Sequence, residues 1–265
     1  MLRRMPRYEA FDWYRTPVYY DIIFDEDTDV EADFLAGVYD RYVKSKGKQV
    51  LEPACGSGRL LAAMHERGFA VSGFDLCPEM LDFSRERLKA ADANGVLKEG
   101  AFDDYSFGKK KFDFAHCLVS SFKYVLEEDA ARHHLKLMAD CLKPGGVYAL
   151  GLHISDYDYR KKTLERWTGS RDGIDVVCCI QGWPADRKTR TEQVRSRIVA
   201  TEGGETRRYE TTWTFRTYDL AELKSLIASE TRLEHIATFD FNYDFRMPNA
   251  FTGDQLDNLL ILRRR

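Results

Sequence analysis

The segment Val50-Leu51-Glu52-Pro53-Ala54-Cys55-Gly56-Ser57-Gly58-Arg59-Leu60 constrains this chain most. An apolar run meets a turn of small residues, and a helical pattern starts directly after it. A Cβ at Gly56 or Gly58 would stand between the backbone and a bound ligand, so glycine there permits close approach. The first turn of the helix that follows carries N–H groups with no partner inside the helix. Strand, tight turn and helix in this order build a nucleotide-type pocket at the carboxyl end of a strand.

The surrounding pattern supports a layered α/β fold. A helix is expected from Asp29 to Lys44, where Phe34, Val38 and Tyr42 recur every fourth position and Leu35 and Tyr39 widen the stripe. Strands are then expected at 50–53, 70–74, 96–99, 112–118 and 147–152, with helices at 59–67, 78–93 and 129–142 between them. Pro144-Gly145-Gly146 reads as a purely structural turn that delivers the fifth strand. Alternation of this kind implies right-handed crossovers and a parallel sheet. After His153 the rhythm changes. Strands at 176–181, 191–200 and 206–215 predict an antiparallel insert, its last two strands joined through Gly203-Gly204. Tyr209, Thr211, Trp213 and Phe215 fall on one face by alternation. A helix at 220–229 and strands at 233–239 and 258–262 complete the pattern. The expected division is 1–46, an aromatic-rich helical cap over the cofactor; 47–153, an α/β core; 154–217, the β insert as a substrate lid; and 218–265, the rest of the core.

Composition narrows the function classes. Of 265 residues, 44% are apolar and 31% charged, the balance of an ordinary soluble domain. No apolar run approaches the roughly 20 residues of a membrane span, and 1–6 lacks a signal-peptide core. A cytoplasmic setting is expected. A net charge of −3 disfavours a nucleic-acid partner, and Lys109-Lys110-Lys111 and Arg263-Arg264-Arg265 read as a solvated loop and a tail. The six cysteines form no CxxC pair, and histidines do not join them at zinc spacing, so a reducing compartment and no metal are expected. A homodimer is left open.

Individual positions suggest chemistry. A dinucleotide cradle wants GxGxxG, but the third glycine position holds Leu61, which argues against the alternative of a nicotinamide-dependent oxidoreductase. Asp75, ending the second strand, can accept two hydrogen bonds from a ribose diol. In Glu99-Gly100-Ala101-Phe102-Asp103-Asp104, an adenine can stack on Phe102 or take backbone hydrogen bonds, and its amine can donate to Asp103 or Asp104. His116-Cys117-Leu118-Val119-Ser120-Ser121-Phe122 follows the fourth strand and faces the same mouth; His116 itself reads as a packed strand residue.

Five segments together, LEPACGSGRL (51–60), VSGFDLCPEML (71–81), EGAFDDY (99–105), FDFAHCLVSSF (112–122) and LKPGGVYAL (142–150), resemble the class I S-adenosylmethionine-dependent methyltransferases. The resemblance implies a doubly wound, mostly parallel seven-stranded sheet with its last strand antiparallel, here with the β insert after strand five. It implies S-adenosyl-L-methionine as cofactor, with Glu52, Ala54, Cys55, Gly56 and Gly58 by its methionine part. Asp75 would hold the ribose. Leu76, Met80, Phe102, Asp103 and Leu118 would complete the site, and Tyr20 would reach the carboxylate. Two positions depart from the family pattern. Ala54 stands where glycine is frequent, and Ala101 where many members have an aspartate for the adenine amine.

The implied reaction moves a methyl group to N or O of a small-molecule acceptor. Alignment of the acceptor with the S–C bond is the main task, worth roughly 7–11 kcal/mol. A base is needed only if the acceptor must lose a proton. His153 is the base candidate, and Ser121, His153, Tyr157 and Trp183 are candidates for the acceptor site. The insert would roof the pocket against polymers, which disfavours RNA or protein as acceptor. A protein that binds the cofactor without catalysis also fits, since no catalytic side chain is obligatory.

Overall fold

Continuous apolar runs become strands buried on both faces, and these draw the central sheet. A computed structural model describes residues 7–105 and 107–265. In chain order it contains β1 (Glu9–Ala10), a 3-10 turn at Trp13–Arg15, α1 (Pro17–Phe24), α2 (Thr28–Tyr42), β2 (Gln49–Pro53), α3 (Arg59–Glu66), β3 (Ala70–Asp75) and α4 (Pro78–Ala90). Next come β4 (Val96–Glu99), β5 (Phe112–Cys117), a 3-10 turn at Ser121–Tyr124, α5 (Glu128–Cys141) and β6 (Leu142–His153). The chain continues with β7 (Thr163–Arg171), β8 (Ile174–Gly182), β9 (Thr191–Glu202), β10 (Glu205–Arg216), α6 (Leu220–Ala228), β11 (Leu233–Phe239) and β12 (Asp257–Arg264).

The central sheet has seven strands in the order β11-β12-β6-β5-β2-β3-β4. β12 runs antiparallel to both β6 and β11, while β2 through β6 pair in parallel. The expected doubly wound sheet is therefore present. One apolar core packs α5 and α6 on one face; the other packs α2, α3 and α4 on the opposite face. The order reverses at β2, and that crevice is where such sheets bind ligands.

Two local expectations need correction. β6 begins at Leu142, so Pro144-Gly145-Gly146 lies within the strand, where pairing jumps from Phe112↔Leu142 to Phe114↔Val147. A Cβ on Gly146 would sit 3.0 Å from the Asp113 carbonyl oxygen, so the irregularity needs glycine. The second sheet has five strands, β1-β10-β9-β8-β7, and β1 joins β10 in parallel. β7 was not expected, because its sequence TLERWTGSR is mostly polar and exposed on an edge. Asp172-Gly173, with φ of 54° and 78°, makes the hairpin to β8; Gly203-Gly204, at 57° and 84°, makes the one between β9 and β10.

The aromatic face of β10 is what the N-terminal segment covers. Trp13 stacks on Trp213 with centroids 5.2 Å apart, and Phe11 lies 4.9 Å from Tyr209. The Thr211 hydroxyl donates to the Phe11 carbonyl at 2.5 Å and accepts from the Trp13 N–H at 3.1 Å. Asp21 of α1 is fully buried between Arg87 of α4 (2.5 Å) and Arg171 of β7 (2.7 Å), which fastens α1 to the core and to the second sheet together. Among the described residues, no helix is long and apolar enough to cross a membrane.

Candidate active site at the carboxyl edge of the parallel sheet

The turn after β2 is built from left-handed residues: Ala54, Gly56 and Gly58 have φ of 54°, 51° and 71°. A Cβ on Gly56 would meet nothing within 4 Å, so this glycine borders open space. Gly58 differs from the expectation: a Cβ there would lie 2.1 Å from Ser84 Oγ, so the helix α4, not a ligand, excludes a side chain. The Cys55 side chain is buried behind the turn against Gly73, leaving only its backbone near the crevice.

Asp75 ends β3 beside this turn. One carboxylate oxygen accepts from the Gly56 N–H at 2.8 Å and the other from the Cys77 N–H at 2.9 Å. Burial pushes the carboxyl up from its ordinary value, and those N–H groups pull it back. Each oxygen keeps a further acceptor position. Capping ahead of α4 and acceptance from a diol are thus compatible. Leu76, next in sequence, is 65% exposed, whereas Met80 is fully buried beneath the start of α4.

A buried polar cluster flanks the turn on the α2 face. Glu52 is 7% exposed, and its Oε2 has no partner among the described residues. Its Oε1 lies 3.8 Å from His116 Nδ1. His116 is fully buried with neither ring nitrogen hydrogen-bonded, and burial, reinforced by Arg59, lowers its pKa to about 3. Burial drives Glu52 well above the usual carboxylate range, against the pull of Arg59. Arg59 pairs with buried Glu31 and donates to Thr28 Oγ1 at 3.1 Å. The Tyr20 hydroxyl is raised by burial and feels Arg59, Asp75, Glu31 and Glu52. Sequence reading missed Arg59 and Glu31. A signal existed: a cation at the first position of α3 opposes the helix dipole and needs another reason to be there.

The opposite lip is aromatic. Tyr14 Oη lies 2.7 Å from Tyr124 Oη, and the Tyr14 carbonyl accepts from Cys77 Sγ at 3.4 Å. Burial raises the Tyr14 hydroxyl well above its ordinary value. Tyr14 therefore touches the start of α4 and the turn after β5 at once, and neither it nor Tyr124 was singled out from the sequence. In that turn Val119 and Ser120 hold positive φ of 54° and 65°, a strain that β-branched valine tolerates poorly. Leu118 is buried, Ser121 opens the 3-10 turn, and His153 closes β6 with Nδ1 2.6 Å from Asp257 Oδ1.

Several candidates sit elsewhere. Phe102 is in the core, with ring centroids 5.0 Å from His134 and 6.0 Å from Phe122, so its face is not offered to a base. Asp103 is exposed on the turn that Ala101 and Asp104 close. Tyr157 is buried and donates its hydroxyl proton to Glu222 at 3.0 Å. The cations of Lys162 and Arg195 lie 5.1 Å and 5.3 Å from the Trp183 ring centroid, so the chain's own charges already engage this ring.

The match to known proteins falls on this region. Residues 50–146 match the family model described as a methyltransferase domain. The fold described above is the one found in solved S-adenosylmethionine-dependent methyltransferases. Among relatives, it is 35% identical over 104 residues to the ubiquinone biosynthesis O-methyltransferase of Idiomarina loihiensis, covering 38% of this chain and 40% of that one. It is 28% identical over 131 residues to the dTDP-3-amino-3,6-dideoxy-alpha-D-glucopyranose N,N-dimethyltransferase of Streptomyces fradiae, covering 48% and 49%. The chain spans about half the length of the curated relatives it matches. The crystal structure of the sugar N-methyltransferase KedS8 from Streptoalloteichus sp. superposes with a TM-score of 0.73 at 17% identity, covering 100% of this chain and 97% of that one.

Proposed function

We propose that this protein is an S-adenosylmethionine-dependent methyltransferase acting on the amino group of a small, sugar-like acceptor. The observation that supports the cofactor reading is a buried Glu52 whose Oε2 has no hydrogen-bond partner among the described residues, at the start of the turn whose Gly56 borders open space and donates to Asp75. A buried carboxylate without a partner is costly, so a ligand cation supplied at that point relieves it. In this reading Glu52 takes the cofactor's ammonium, and Arg59 with Tyr20 takes its carboxylate. Asp75 accepts from the ribose hydroxyls, and exposed Leu76 packs on the adenine. The bound cofactor supplies a methyl group on a positively charged sulfur, already an electrophile. What the chain adds is position, since Tyr14 and Tyr124 close the acceptor lip and exclude water.

Two features favour an amine. Electron-rich aromatic rings at the lip suit a cationic acceptor, and two proteins similar to this chain carry amine-methylating names. A hydroxyl acceptor is the second reading, supported by the O-methyltransferase relative. The test is calorimetric titration with S-adenosylmethionine, then turnover to S-adenosylhomocysteine with the amino-sugar nucleotide and with its 3-hydroxyl counterpart. Methylation of the amino sugar alone is the expected result. Absence of cofactor binding would remove the whole reading, and turnover of the hydroxyl compound alone would move it to O-methylation.

A further inference from the structure

His153 and Asp257 make a pair that the cofactor end of the site does not use. β6 ends at His153, β12 starts at Asp257, and the two face each other across the antiparallel ladder. Nδ1 lies 2.6 Å from Asp257 Oδ1, and the His153 side chain is 45% exposed. With Nδ1–H donated to the carboxylate, the Nε2 lone pair points away and is available. Among the described residues no hydrogen bond reaches Nε2. The ring is held at its edge by Phe241, with centroids 4.9 Å apart, and the His153 N–H donates to Ser120 Oγ at 3.0 Å. Ser120 belongs to the strained turn after β5, directly beside the proposed acceptor lip. Phe241 stacks on Tyr243 at 6.1 Å, and the Tyr243 hydroxyl feels the charge of Glu31, the partner of Arg59. The ring contacts His153–Phe241–Tyr243 thus extend from this imidazole toward Glu31 and Arg59.

Building on the amine-methylation reading, we infer that His153 is the base that takes the acceptor's ammonium proton and that Asp257 is the residue that positions it. An alkyl ammonium has no lone pair with which to attack, so one N–H proton must leave first. Nε2 takes that proton, and the imidazolium shares its charge with Asp257. The freed nitrogen lone pair forms the N–C bond while the C–S bond breaks and its electron pair moves to sulfur. One positive charge then rests on the methylated amine and one on His153, matching the two that began on ammonium and sulfonium. The exposed ring passes its proton to water.

The first test needs no acceptor. Two-bond nitrogen–proton spectra of the imidazoles are recorded with S-adenosylhomocysteine bound, with His153→Gln to assign the resonance. The expected result is the Nδ1–H tautomer at His153, lost to a mixture in Asp257→Ala. With the amino-sugar nucleotide as probe, His153→Gln should lower kcat about 100-fold. Asp257→Ala should lower it about tenfold, Asp257→Glu should recover part of that loss, and added imidazole should partly rescue His153→Ala. Cofactor affinity by calorimetry should stay within about twofold in every variant. An Nε2-protonated ring, or full kcat in His153→Gln, overturns the inference. If the probe is not methylated, the tautomer alone decides. Failure of the wild type to bind the cofactor counts against the methyltransferase reading, and the tautomer still reports separately on the pair.

Discussion

Ala54 sits at φ 54° in the turn that shapes the site, with a Cβ that the left-handed region penalises by roughly 1–2 kcal/mol. Ala54→Gly should therefore stabilise the fold by about 1 kcal/mol, less the extra freedom glycine gains when unfolded, as read by urea denaturation. Asp75→Ala removes an acceptor from two backbone N–H groups and from the proposed ribose. It should weaken S-adenosylmethionine binding by roughly 10- to 100-fold in calorimetry, the worth of hydrogen bonds to a charged group. Glu52 is held protonated more readily in the folded state than in the unfolded chain. Its stabilising effect is present below the unfolded value of about 4.3 and is lost as pH rises through the folded one. Glu52→Gln should thus gain on the order of 1 kcal/mol near pH 8, less at pH 5, while losing cofactor affinity. Equal stability changes at both pH values would contradict the burial argument. Asp75 was legible in the sequence because strand end, glycine turn and carboxylate follow one another locally. Tyr14, Tyr124 and Asp257 were not, because each gains its meaning from a residue far away in the chain.

At the scale of elements, the segment carrying Trp13, Tyr14 and Tyr20 is held by β10 and by the Asp21 ion pairs, not by the central sheet alone. Trp213→Ala removes the ring on which Trp13 stacks. The loss should be about 3 kcal/mol in stability, with weaker cofactor binding in the same variant, since Tyr20 rides on the displaced α1. A variant that loses stability but binds the cofactor as before would separate the cap from the site. The helices and inner strands could be anticipated because burial imposes periods of about 3.6 and 2 on their side chains. β7 could not. Its exposed edge position leaves it little apolar patterning, and only the Asp-Gly turn marks it. The extension of β6 through Pro144-Gly145-Gly146 was equally hidden, since a glycine inside a strand is justified by the neighbouring backbone that crowds it.

For the whole molecule, acid should be destabilising earlier than carboxylate titration alone predicts. His116 and His134 are buried and neutral, with pKa values lowered by burial to about 3 and about 4. Stability tied to them is complete above the unfolded value near 6.5 and falls as pH drops toward the folded values, by about 1.4 kcal/mol per pH unit for each proton not taken up. Glu52, which binds a proton in the folded state, offsets part of this. The melting temperature should decline from about pH 6.5 downward, and His134→Gln should flatten the decline. An unchanged melting temperature down to pH 4.5 would contradict it.

The amino-acid order by itself determined the α/β succession and the crevice beside β2. Each of these is written in short-range spacing: apolar periods, small residues at a turn, a carboxylate at a strand end. Only the tertiary structure decided which side chains meet in that crevice. Arg59 with Glu31, Tyr14 with Tyr124, and His153 with Asp257 are brought together by packing of the cap, the second sheet and the last strand. Burial and ion pairing depend on what the fold places nearby, and no local spacing encodes that.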